Sequence, residues 1–68
     1  MKLKYLEYFL TIAKLGNVTH AAQQLYLSQP NLTVAIKRLE EELNITLFER
    51  HHKSVSLTPE GEKFYKQL

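Results

Sequence analysis

The 68 residues suffice for one domain, and a chain this short buries too small a fraction of its surface to be more than marginally stable. Cysteine is absent, which excludes a disulfide framework and a thiolate metal site, while a hydrophobic fraction of 44% with four Tyr and three Phe excludes intrinsic disorder. A net charge of +2 permits a nucleic-acid partner without requiring one, and its distribution says more, because Glu40–Glu42 is the one acidic run.

Residues 3–15 read as a helix, with Leu6, Phe9, Leu10 and Ala13 recurring at core-facing spacing. Tyr5, Tyr8, Ile12 and Leu15 form a second apolar stripe beside the first. One reading of that stripe is ordinary exposure with snorkelling tyrosines; the other, adopted here, is a surface for a partner chain. Gly16 ends the helix. Asn17 caps a second, short helix whose buried stripe is Val18, Ala21, Ala22 and Leu25. The pattern stops at Tyr26 and Leu27. Ser28 then caps a third helix, Gln29 to Leu43, with Pro30 in the first turn, where its missing N–H is harmless. Leu32, Ala35, Ile36, Leu39 and Leu43 form its core stripe, and Asn44 is suited to the left-handed residue that ends it.

The period then changes. Thr46–Arg50 and Ser54–Leu57 read as two strands of a small hairpin with a basic tip at His51–Lys53. Thr58 caps a fourth helix with Pro59 at its first position, and Phe64, Tyr65 and Leu68 give it an apolar side. No stop signal follows, so this helix reads as truncated. The fold class is mainly α with a small β-hairpin. Residues 1–58 form the domain and 59–68 begin a further helix.

Several functions are disfavoured. Glu7 and Lys14 interrupt the first apolar run, and no stretch nears the roughly 18 apolar residues of a membrane span, so the expectation is a cytoplasmic protein with no membrane partner. His51 and His52 are adjacent and point to opposite sides of a strand, so with His20 they make a poor metal site. The Ser and Thr residues are explained by caps and strands, and two glycines cannot build a phosphate loop. No catalysis and no cofactor are expected.

Two helices joined by a short turn at Leu25–Ser28 suggest a helix-turn-helix, a weak signal alone. The face of the third helix opposite its core stripe strengthens it. Gln29, Pro30, Thr33, Val34 and Lys37 fall together there. Glutamine pairs bidentately with adenine, and Thr and Val can meet a thymine methyl. Glu40–Glu42 lie far from the end that would enter a groove, and read as a solvated face. Arg50, His51, His52 and Lys53 make the hairpin a wing that meets the DNA backbone or minor groove.

The string Ala21-Ala22-x-x-Leu25-x-x-Ser28-Gln29-Pro30-x-Leu32-Thr33, then Ile36-x-x-Leu39-Glu40-x-x-Leu43, Leu47-Phe48-x-Arg50 and Leu57-Thr58-x-x-Gly61, resembles the N-terminal domain of LysR-type bacterial regulators. The resemblance covers residues 6–61. It departs mildly at Asn17, Thr33 and Asn44, where that family more often has Ser, Ser and Gly, and at Val34, where it is often polar or basic. It implies a winged helix-turn-helix with Gln29, Pro30 and Thr33 in the major groove and Lys53 at a basic wing position. It also implies a homodimer built through the fourth helix and the first helix of the partner, which gives a use to Tyr5, Tyr8, Ile12, Leu15, Phe64, Tyr65 and Leu68. A small-molecule effector would bind only through a C-terminal domain absent from these residues.

The expected function is therefore sequence-specific binding of double-stranded DNA as a transcription regulator. Gln29, Pro30, Thr33 and Val34 are expected to read bases. Thr19, Ser28, Lys37, Arg50, His52 and Lys53 are expected to contact the backbone. The alternative is a protein-interaction module that forms heterodimers with a full-length regulator.

Overall fold

The computed structural model describes residues 2–68. In chain order it comprises α1 (Leu3–Leu15), α2 (Val18–Gln24), α3 (Gln29–Leu43), β1 (Phe48–Arg50), β2 (Val55–Leu57) and α4 (Pro59–Lys66). Side-chain caps start three of these helices. Asn17 Oδ1 accepts from His20 N, Ser28 Oγ from Asn31 N and Thr58 Oγ1 from Gly61 N, each satisfying an amide that the helix itself leaves orphaned. The stops are equally local. Gly16 and Asn44 both take the left-handed conformation that closes a helix.

Tyr26 does the same at the end of α2, with φ 58°. Leu27 N donates to Ala22 O and Tyr26 N to Gln23 O, the paired bonds that reverse a chain after a helix. A left-handed tyrosine has no composition signal, and its side chain, 95% exposed, has no packing role that would reveal it.

The core gathers Phe9, Ile12, Leu32, Leu39 and Leu47 as its largest fully buried side chains, with Ala21, Ala22 and Ala35 letting α1, α2 and α3 approach closely. The Phe9 ring lies 5.3 Å from that of Phe48 and 5.2 Å from that of Phe64, so one aromatic joins α1 to the hairpin and to α4.

One expectation about α1 is overturned in part. Tyr5 and Ile12, assigned above to a partner surface, are buried with Phe9 in the chain's own core, and Tyr8 is half-buried against it. Leu10 is exposed instead, and Leu6 and Ala13 are half-buried. The helix is apolar over most of its circumference, so periodicity alone cannot choose its inner face. Packing against α2 and α3 chooses, and it takes Tyr5, Phe9 and Ile12 into the core. The outer apolar stripe of α1 is therefore Leu3, Leu6, Leu10 and Ala13, and Leu15 stays exposed on the Tyr8 side.

β1 and β2 pair antiparallel, with Phe48 opposite Leu57 and Arg50 opposite Val55. The first strand begins two residues later than Thr46, because residues 46–47 bond elsewhere. Leu47 N donates to a Glu40 carboxylate oxygen, Leu47 O accepts from Thr58 N, and Thr46 O accepts from Thr58 Oγ1. β2 reaches α1 through Val55 N, which donates to Gly16 O at 3.0 Å. α4 ends at Lys66, so Leu68 lies beyond the helix rather than on its apolar side.

Candidate nucleic-acid interface

Three elements converge on one side of the molecule. The outer ridge of α3 is open to solvent: Gln29, Pro30, Val34 and Lys37 are exposed and Thr33 is half-buried. Helical geometry sets Pro30, Val34 and Lys37 along the crest, with Gln29 and Thr33 on the flank toward the wing. Among the described residues, none covers Gln29, Pro30, Val34 or Lys37. Gln29, Pro30, Thr33 and Val34, expected above to read bases, are thus presented in the first two turns of a 15-residue helix whose opposite side is anchored by Leu32, Ala35, Ile36 and Leu39.

The wing stands beside it. Arg50, His52 and Lys53 line a cleft of about 150 Å³ together with Asn17 and Thr19 of the α2 entrance and Gln29 of α3. The structure thereby brings together Thr19, Gln29, Arg50, His52 and Lys53, which lie far apart in sequence. Ser28 lies at the same end of α3, but its hydroxyl is engaged as the helix cap.

Two side chains hold this geometry. Asn17 uses both ends of its amide: Oδ1 caps α2 by accepting from His20 N at 2.9 Å, and Nδ2 donates to Lys53 O at 3.3 Å. The cap of α2 is thus also the tether of the wing tip. The tip is tightened further by His51 N, which donates to Ser54 O at 2.8 Å, and by a 2.8 Å bond between His51 Nε2 and Ser56 Oγ. Neither His52 nor Lys53 has positive φ, so the two-residue turn between them is not of the primed type that usually joins strands this closely.

The second is Glu40, which sequence reasoning placed on a solvated acidic face. Its Oε2 accepts from Leu47 N at 2.6 Å and Phe48 N at 3.4 Å, pinning the start of β1 to α3. A carboxylate seven residues before its partner has no local signature, so this role was invisible in the sequence. Two further cations were also missed. Lys4 and Arg38 border a cleft of about 290 Å³ between α1 and α3, on the flank of Val34 away from the wing. Basic groups thus stand on both sides of the crest of α3.

This combination, an open helix crest flanked by a tethered basic hairpin, defines a winged helix-turn-helix domain. The description "Bacterial regulatory helix-turn-helix protein, lysR family" matches residues 3–62, and the chain belongs to that family. Among curated relatives it is 48% identical over 68 residues to the HTH-type transcriptional regulator CzcR of Bacillus subtilis (strain 168), covering 100% of this chain and 24% of CzcR. It is 48% identical over 66 residues to BudR of Klebsiella aerogenes, covering 97% of this chain and 46% of BudR. The chain thus spans less than half the length of either relative. Among solved structures, the DNA-binding domain of CbnR in complex with DNA superposes with a TM-score of 0.93 at 37% identity, covering 98% of this chain and 77% of that one. The BenM DNA-binding domain bound to catB site 1 DNA gives 0.91 at 43% identity, covering 98% and 72%. Among the described residues, no helix is long and apolar enough to cross a membrane.

Proposed function

We propose that the chain binds double-stranded DNA sequence-specifically, as the DNA-reading part of a transcriptional regulator. The observation that carries this reading is the open outer side of α3, on which Gln29, Pro30 and Val34 are exposed and Thr33 is half-buried; in this reading the four meet base edges in a major groove. Lys37, Arg50, His52 and Lys53 contact phosphates around it, joined by Thr19 and Ser28 at the helix entrances. The DNA complexes of CbnR and BenM support the reading by likeness.

The reading includes two copies. The Cα trace of one copy extends 26 Å along its longest axis, less than the roughly 34 Å between successive major-groove faces on one side of a duplex. A two-fold dimer reads both faces and calls for an inverted-repeat site. The surface for pairing is the outer stripe of α1, Leu3, Leu6, Leu10 and Ala13, with Tyr65 and Leu68, which are 46% and 52% exposed. A heterodimer with a full-length relative would use the same stripe, and is the second reading. Effector binding belongs to a C-terminal domain in the whole regulator.

The test is selection of bound sequences from a random duplex library, followed by titration of two variants. Gln29→Ala is expected to weaken the selected site by about 1–3 kcal/mol per half-site while random duplex is bound as before. Equal weakening on both duplexes would remove Gln29 from base reading. Lys53→Ala is expected to weaken every sequence and to flatten the salt dependence by about 0.9 in the logarithmic slope for each phosphate no longer neutralised. An unchanged slope would place the wing off the backbone.

A further inference from the structure

The cleft between α1 and α3 has the chemistry of an anion site. Lys4, Tyr5, Tyr8, Asn31 and Arg38 line it, five side chains that can donate hydrogen bonds, and no carboxylate is among its lining residues. Lys4, Asn31 and Arg38 are exposed. The cleft at the far end of α3 has the opposite character, with Glu40, Glu41 and Glu60 beside Lys37. Glu42 follows Arg38 by one turn and Glu7 follows Lys4 by three residues, but exposed helix pairs at these spacings are weak and screened, and yield to a better partner.

Helix geometry sets where this cleft faces. Arg38 lies in the third turn of α3, next to Lys37 but turned about 100° from it, toward α1. Gln29 and Thr33 thus look toward the wing, and Asn31 and Arg38 look away from it. A major groove is about 12 Å wide and a helix with its side chains about 10–12 Å across, so a helix seated there has a row of phosphates along each flank, one from each strand. Arg50, His52 and Lys53 stand on one flank only.

We propose that Lys4 and Arg38 bind backbone phosphates of the strand that lies across the major groove from the wing, so that α3 is gripped from both walls. The proposal rests on the seating of α3 in a major groove put forward above, and adds to it two cations from two helices. Arg38 suits the task, because its planar guanidinium offers a phosphate two parallel N–H donors.

Salt titrations of the full chain, Lys4→Gln, Arg38→Gln, the double variant and Lys66→Gln on the selected and on random duplex test this. Glutamine keeps the polar, unbranched character of both side chains at exposed positions, so the variants should fold; thermal unfolding checks this. Lys4→Gln and Arg38→Gln are each expected to weaken both duplexes and to lower the logarithmic salt slope by about 0.9, and the double variant by about twice that. Lys66→Gln, at the end of α4 and outside both basic clefts, should leave the slope as it is. Duplexes with one phosphate at a time replaced by a neutral methylphosphonate locate the contact. The replacement that weakens the parent but not Arg38→Gln should fall on the opposite wall of the groove from the one found in the same way with Lys53→Ala. The proposal falls if either single variant keeps the parental slope, if Lys66→Gln flattens it as much, or if the phosphates paired with Arg38 and Lys53 share one wall. If Gln29→Ala alters no base preference, base reading by α3 fails on its own, while the slopes and the replaced phosphates still decide for or against the cleft.

Discussion

Gly61→Ala is expected to destabilise the domain by roughly 3 kcal/mol or more, at the upper end of what overpacking costs. Gly61 is buried at the first turn of α4, and a methyl added there would overlap the carbonyl oxygen of Leu47 and lie 3.1 Å from its carbonyl carbon. The obstacle is backbone, and that carbonyl is already fixed by the bond it accepts from Thr58 N at 3.0 Å. Neither partner can give way as a flexible side chain would. The opposing effect is the higher helix propensity of alanine, worth about 1 kcal/mol in a helix interior. The clash outweighs it. Stabilities of about 0.05–0.15 kcal/mol per residue leave a domain of this size little reserve, so the variant should be largely unfolded at physiological temperature or keep α4 undocked. Urea unfolding of both proteins reads the difference. A midpoint that rises would mean that α4 does not approach Leu47 this closely.

The helix boundaries and the wing were legible in the sequence because their causes are local. Asn17, Ser28 and Thr58 announce helix starts through short-range hydrogen bonds, and Gly16 and Asn44 announce ends through a backbone conformation that few residues accept. The crest of α3 was legible for a related reason: once Leu32, Ala35, Ile36 and Leu39 define the inside, the outside follows from 3.6-residue geometry. What escaped has long-range causes. The inner face of α1 depends on the residues it meets, and Ala21, Ala22 and Ala35 lie well downstream of it. Tyr26 adopts a left-handed conformation that its side chain does nothing to advertise. The fixed spacing of Thr58 and Gly61 was visible, but its purpose was not. That purpose is a segment, residues 46–48, to which α4 bonds at Thr46 O and Leu47 O and against which Gly61 packs.

The same segment explains why Glu40 should matter more than an exposed acidic residue would. On a solvated helix face, Glu40→Ala would be neutral or slightly stabilising, since alanine is the better helix former. The structure reverses that sign. Leu47 is fully buried, and in the variant its N–H would be without the ionised acceptor now at 2.6 Å; Phe48 N would be without the same oxygen. A hydrogen bond to a charged group contributes about 1.5–3 kcal/mol, and a buried donor left without a partner costs its desolvation in full. Glu40→Ala is therefore expected to lower stability by about 3 kcal/mol. Glu40→Gln keeps a carbonyl oxygen of the same reach and should lower it by only about 1 kcal/mol. Amide hydrogen exchange gives the local readout: the Leu47 N–H should exchange faster in the alanine variant, and faster than global unfolding alone accounts for. The effect should also reach the ligand surface. Glu40 joins α3 to β1 at one end of the hairpin and Asn17 joins α2 to Lys53 at the other, so two polar side chains add to the core packing of Phe48, Val55 and Leu57 in setting the angle between helix crest and wing. Releasing the first should leave the wing swinging on the second. The salt dependence of DNA binding should then flatten in Glu40→Ala as it does in Lys53→Ala, although every cation is still present. A Glu40→Ala protein as stable as the parent, with Leu47 still protected, would return this carboxylate to the solvent and leave the hairpin held by strand pairing, the Asn17 tether and the core packing of Phe48, Val55 and Leu57.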